Sequence, residues 1–274
     1  MSRLPIKPTA RWIARKATRI ASWAIKASRP ERLCVYLGHD ALAVCHVAGL
    51  LNPSVQNKAI VNPGPGAPNL SALLAALGTW LDAHSARGRI DWIVGIEHVR
   101  YLLLPWDSRL ANEAFCRSLT AALFSQHFPV GIPFTDFQLR FAPLAFGQPR
   151  MTALIANDVV HELTAFARRR GCRARRIVPA VSVVWDRFYP RWKKGTGVLA
   201  LVEGPRLLRV GYDHGHIVTF AVQPFSDRSS AAADSATCVF PPLHPGTPGS
   251  NAPQIDSLAP DGDPRLAYAL CGVA

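Results

Sequence analysis

Side chains able to do chemistry are present in this chain, but rarely at the spacing that chemistry needs. His161-Glu162 opens the His-Glu-x-x-His pattern that sets two zinc ligands on one helix face, yet the fifth position is Ala165. With the second ligand missing, His161 is expected to be an ordinary helix-surface residue. His214-Gly215-His216 brings two imidazoles close, but it falls at an expected hairpin turn with no third ligand nearby in the sequence. Asp261-Gly262-Asp263 has the form of an acidic metal motif, but it lies in a proline-rich stretch where Asp and Gly are turn formers. No Gly-x-x-x-x-Gly-Lys phosphate loop and no Gly-x-Ser-x-Gly nucleophile elbow occurs. The cysteines, at 34, 45, 116, 172, 238 and 271, form no Cys-x-x-Cys pair, so a structural zinc site has no support. Buried thiols in a reducing compartment are expected instead. No catalytic, cofactor-binding or metal-ligating residue is assigned.

Charge is the stronger signal. The 274 residues carry 31 Lys and Arg against 18 Asp and Glu, a net +13. Such a chain should be drawn to an anionic lipid surface, nucleic acid or an acidic protein. Arg168, Arg169, Arg170, Arg173, Arg175 and Arg176 pack six guanidinium groups into nine residues. They are expected either to form a docking patch for a partner, or to complement a helix C-terminus and guard an edge strand. No nucleic-acid-binding motif accompanies them, so nucleic acid is not the expected partner.

The other concentration lies at the N-terminus. Residues 1–33 hold nine Lys or Arg and one acid, Glu31, for a local charge of +8. Pro8-Thr9 can start a helix there and Pro30 can stop it. At 100° per residue, Ile13, Ala17, Ile20, Ala24 and Ala27 share a face edged by Trp12 and Trp23, while Arg11, Arg15, Arg19, Lys26 and Arg29 lie opposite. This is the pattern of an interfacial helix, and Arg11, Trp12, Ile13, Arg15, Arg19, Ile20, Trp23 and Lys26 are its expected membrane-surface contacts. Two alternatives stay open: a helix docked on the protein's own core, and a mitochondrial transit peptide. The longest apolar run, 41–51, is short and interrupted by His46, so no spanning helix is expected.

Stepping along the chain, Leu33–Val47 reads as a β-hairpin and 52–69 as a loop or hairpin. Leu70–His84 reads as a helix with leucines at helical spacing. Strands are expected over 90–96 and 99–104. A helix over 112–128 should turn Phe115, Leu119 and Leu123 inward. Strands over 134–144 and 151–156, a helix over 158–170, a strand over 173–179 and a helix over 180–188 follow. A three-stranded meander over 197–222 comes next. From Ser226 the composition turns to Ser, Ala, Pro and Gly, as in a loop or disordered linker, and the last residues are apolar again. The order implies an α/β domain with mixed β-sheets.

Several of these segments, in order, resemble the PilM-like group of type IV pilus assembly, to which the cytoplasmic part of the type II secretion platform protein is related. They are Glu97-His98-Val99-Arg100-Tyr101 through Pro105-Trp106, Phe137–Arg140, Pro149–Ala156, Gly171–Pro179, Trp185–Phe188, Val198–Gly215 and Ala269-Leu270-Cys271-Gly272. The resemblance implies an actin-like fold of two RNase-H-like lobes, here with the second reduced. The implied division is an arm over 1–30, a first lobe over 31–190, a meander over 191–225, a linker over 226–262 and a returning segment over 263–274. In active members of the group each lobe opens with a hairpin whose Asp-x-Gly phosphate loop holds a nucleotide's metal. The corresponding positions here are Tyr36-Leu37-Gly38 and Val202-Glu203-Gly204. Glu203 stands one place late, on the face expected to turn away. Neither ATP nor another cofactor is therefore expected, and the chain is expected not to be an enzyme.

The resulting expectation is a cytoplasmic platform or scaffold protein. It would lie at the inner membrane of a Gram-negative bacterium, bound to the anionic lipid surface and to a membrane-anchored pilus or secretion assembly protein. The alternatives are an actin-like ATP-binding protein with unusual phosphate loops and a basic nucleic-acid-binding adaptor. Oligomeric state has no sequence signal.

Overall fold

A computed structural model describes residues 31–49, 53–64, 68–129, 131–225, 238–241 and 263–273. The arm over 1–30, with its expected membrane contacts, lies outside them. The chain opens on β1 (Glu31–Leu37), which a four-residue turn reverses into β2 (Leu42–Ala48); Gly38 N donates to Ala41 O at 3.1 Å across that turn. β3 (Ser54–Val61) pairs antiparallel with β2, so the loop-or-hairpin segment resolves as a strand. The parallel strands β4 (Arg89–Val94) and β8 (Arg173–Pro179) complete a five-stranded sheet in the order β3-β2-β1-β4-β8. Leu33–Leu37 of β1 and Trp92–Val94 of β4 are unbroken apolar runs, as strands buried on both faces require.

The helices are α1 (Leu70–His84), α2 (Glu113–His127), α3 (Asn157–Arg169), α4 (Ala180–Trp192) and α5 (Arg265–Cys271). Asn69 caps α1, accepting from Ala72 N at 2.8 Å, and Asn112 caps α2, accepting from Ala114 N at 2.8 Å. The buried line of α2 is Cys116, Thr120 and Phe124, one position beyond the expected Phe115, Leu119 and Leu123, which are half-buried. Small, self-satisfied side chains explain the rotation. Thr120 Oγ1 donates back to Cys116 O at 2.6 Å and Cys116 Sγ donates to Leu110 O at 3.1 Å, which lets the helix lie close to its sheet.

That sheet is three-stranded: β5 (Val99–Leu104), β7 (Arg150–Ala156) and β6 (Phe137–Phe141), in the order β5-β7-β6. A third sheet, of four strands, has the order β11-β10-β9-β12. Its members are β9 (Thr196–Glu203), β10 (Arg206–Asp213), β11 (His216–Pro224) and β12 (Cys238–Phe240). β12 falls inside the segment expected to be a linker and pairs parallel with β9. Its Cys238 and Phe240 are buried, which is why so short a strand holds.

α4 also departs from expectation. It runs four residues past 188, through Pro190, and ends inside the expected second lobe. Trp192 is 2% exposed and packs its ring 5.1 Å from Tyr212 and 5.9 Å from Trp185, so burial of that ring outweighs the lost proline N–H. α5 is almost wholly buried against β1 and β2. All six cysteines are free and buried. Among the described residues no helix is long and apolar enough to cross a membrane.

Candidate functional site

The first lobe's sheet presents the β1–β2 turn and the Gly95–His98 turn after β4 to the β9–β10 turn of the second sheet. These turns carry the two segments, Tyr36-Leu37-Gly38 and Val202-Glu203-Gly204, at which the resemblance implies phosphate loops. The junction between them is closed by side chains. Glu203, expected to turn away, instead enters the first lobe, and its Oε2 accepts from Ile96 N at 2.5 Å. As the last residue of β9, it finds an amide left free at the start of the 3-10 turn Ile96–His98. Gly95 leaves room for it: a Cβ there would lie 1.8 Å from Glu203 Oε1. On the first-lobe side Tyr36 stacks on Tyr268 of α5, with centroids 4.5 Å apart and planes 13° apart. Tyr268 Oη donates to Val202 O at 2.9 Å. Outer ion pairs join Arg206 to Glu97 at 2.7 Å and Arg265 to Asp40 at 2.8 Å. Arg265 is also held by Asp263, at 2.7 Å.

The electrostatics follow from that closure. Burial pushes the Glu203 carboxyl up to about 7, against the Ile96 amide and Tyr36, which favour the ion. Burial first, then the facing Glu203, pushes the Tyr36 phenol well above its usual range. Tyr101 Oη, also buried there, has no hydrogen-bond partner among the described residues. The cavity left beside Tyr36, Asp40, Glu203 and Tyr268 measures about 160 Å³. Sites for drug-sized ligands run from about 300 to 1,000 Å³, so this cavity is smaller than that range.

A larger cavity, about 600 Å³, lies between the β6–β7 loop, α4 and the β10–β11 hairpin. Phe141, Leu144, Trp185, Tyr189 and Ile217 give it an apolar lining, with Asp186 and Arg140 as charged members. Burial raises the Asp186 carboxyl, partly offset by Arg176. The loop beside it carries Phe146, 91% exposed, whose ring meets Trp106 edge-on at 5.1 Å. Sequence reasoning missed this groove. Its one signal was a large aromatic between Pro143 and Pro149, in a segment that otherwise reads as a turn.

The six clustered arginines divide. A bulge in β8 opposite Ile90 and Asp91 aims both Arg175 and Arg176 at the fully buried Asp91. Arg175 Nε donates to Asp91 Oδ1 at 2.6 Å, Arg176 pairs with it at 3.2 Å and Arg32 at 3.8 Å. Arg176 also donates to Gly272 O at 3.0 Å, and Arg32 donates to Val273 O, so the pair clamps the end of α5. Arg170 pairs with Asp82 at 2.6 Å. Arg168, Arg169 and Arg173 remain exposed. The histidine motifs stay apart: His161 is exposed on α3, and His214 Nδ1 contacts Asp213 at 2.7 Å in the hairpin turn. Among the described residues no group of three or more His, Cys, Asp or Glu could hold a metal.

No protein-family model matches the sequence, and no curated protein matches it. Solved structures do. The chain is similar to a chain of the "PilM-PilN type IV pilus biogenesis complex" at 16% identity and a TM-score of 0.56, over 75% of this chain and 65% of that one. It thus spans just under two thirds of that relative's length. It is also similar to the cytoplasmic domain of EpsL, an inner membrane component of the type II secretion system of Vibrio cholerae. There the identity is 11% and the TM-score 0.55, over 89% of this chain and 94% of that one. At these identities the likeness is one of fold, and the fold of this chain is actin-like.

Proposed function

We propose that this chain is a non-enzymatic platform protein that holds a membrane-anchored partner of a pilus or secretion assembly at the cytoplasmic face of the inner membrane. The observation that carries the non-enzymatic reading is the closed junction. Tyr36 and Val202 occupy the two positions where the resemblance implies metal-binding acids, and the neighbouring Glu203 is bound to the protein's own backbone. A nucleotide would have to displace the Tyr36–Tyr268 stack and the Glu203 latch together.

The partner class rests on the likeness to a PilM–PilN complex and to the cytoplasmic domain of an inner membrane secretion component. The apolar groove between the β6–β7 loop and α4 is the surface best suited to such a partner. It joins a cavity large enough for several side chains to Phe146, which a lone domain gains nothing by exposing. The arm's basic residues and tryptophans would add contact with anionic lipid.

Titration calorimetry with millimolar Mg-ATP tests the first part. No binding heat and no hydrolysis above background are expected, and turnover abolished by Glu203→Gln would overturn the reading. A two-hybrid assay against the membrane-anchored pilus and secretion proteins of the same cell tests the second. An interaction is expected that Leu144→Ser with Tyr189→Ser breaks, and its absence across that set would overturn the partner assignment.

A further inference from the structure

The three parallel strands of the first sheet start at the pole opposite the closed junction, where β1 opens on Glu31-Arg32, β4 on Arg89 and β8 on Arg173. Arg32 of β1 is the cross-strand partner of Arg89 of β4, which is in turn the partner of Arg173 of β8. Neighbouring strands lie about 4.8 Å apart, and like charges directly opposite one another destabilise a sheet. The buried Asp91 serves Arg32, Arg175 and Arg176. Among the described residues, Arg89 and Arg173 have no carboxylate partner, nor has Arg87 in the preceding turn. All three are exposed. α3 ends at the same pole, adding the exposed Arg168 and Arg169.

The chain before β1 meets the body here too. Arg173 N donates to Gly88 O at 3.1 Å, and a Cβ on Gly88 would lie 2.5 Å from Glu31 O, so residue 31 abuts the Arg87–Arg89 turn. The thirty residues that precede it in sequence carry Arg11, Arg15, Arg19 and Lys26 with Trp12 and Trp23.

We infer that this arginine pole is a second membrane contact, in the folded body itself, that binds the anionic headgroups of a bilayer and turns the closed junction away from the membrane. The occupant follows from charge complementarity and from where the arm joins. Arg87, Arg89 and Arg173, exposed and without a carboxylate partner among the described residues, suit an anionic surface. The adjoining sequence pairs cations with tryptophans in the manner of an interfacial helix, which favours a bilayer over nucleic acid. The inference rests on the membrane-docking reading for the arm alone; the pole is a feature of the described body.

Flotation of the full chain with phosphatidylglycerol–phosphatidylcholine vesicles, and with phosphatidylcholine vesicles alone, tests it. Binding is expected only to the anionic vesicles. Arg89→Gln with Arg173→Gln should weaken it about thirtyfold, at about 1 kcal/mol for each cation removed, with an unchanged thermal melt. Lys193→Gln with Lys194→Gln removes the same charge from the end of α4, beside the β10–β11 turn, and should leave binding unchanged. Equal loss in both double variants, or none in the first, would overturn the inference. If Trp12→Ala with Trp23→Ala weakens binding while the arginine pair does not, the arm reading stands and this one fails. If the full chain ignores anionic vesicles, both fail. Loss of duplex-DNA binding in the arginine variant with vesicle binding intact would assign the pole to nucleic acid instead.

Discussion

Asp91 shows how one residue changes the meaning of its neighbours. As sequence, Arg175 and Arg176 belong to a basic patch; in the fold they neutralise a buried carboxylate and fasten the end of α5. Removing one member of a buried ionic cluster leaves the others uncompensated. Asp91→Ala is therefore expected to lower unfolding free energy by about 3–5 kcal/mol, measured by urea denaturation. Glu203 supports a second prediction. Its carboxyl moves from the ordinary 4.5 to about 7 on folding, so the folded state holds a proton that the unfolded state has released between those values. The stabilisation is complete below pH 4.5 and is lost as pH rises through 7. The difference in unfolding free energy between wild type and Glu203→Gln should fall by about 3 kcal/mol from pH 4.5 to pH 8, with most of the change before pH 7.

At the scale of elements, two segments owe their form to what they pack against. α4 continues through Pro190 because Trp192 closes an aromatic cluster with Trp185, Phe188 and Tyr212. Trp192→Ala should cost about 3–5 kcal/mol, read in the same denaturation assay. The β6–β7 loop behaves oppositely. Phe146 is exposed, so Phe146→Ser should change stability by no more than about 0.5 kcal/mol while weakening the partner contact. The pair of measurements separates a packing role from a recognition role.

The whole molecule joins a first lobe, an added three-stranded sheet and a four-stranded second sheet through Glu203, Tyr268 and α5. Its closed junction makes a global prediction. Millimolar Mg-ATP should leave the melting temperature unchanged, because a ligand stabilises only in proportion to its binding to the folded state.

Composition, period and turn residues determined most of the elements. Leu70–His84, Val99–Leu104 and Arg173–Pro179 are legible to the residue, because leucine spacing, Pro105 and Gly171 mark them locally. The order of elements implied an α/β domain with mixed sheets, and the resemblance to the PilM-like group implied the actin-like fold. The tertiary structure alone decided the rest, and for one physical reason: burial and charge pairing act between residues far apart in sequence. β12 exists because β9 offers an open edge, and Glu203 faces inward because an amide 107 positions away lacks a partner. The apolar groove needs three distant segments, and the arginine pole needs three strands in register.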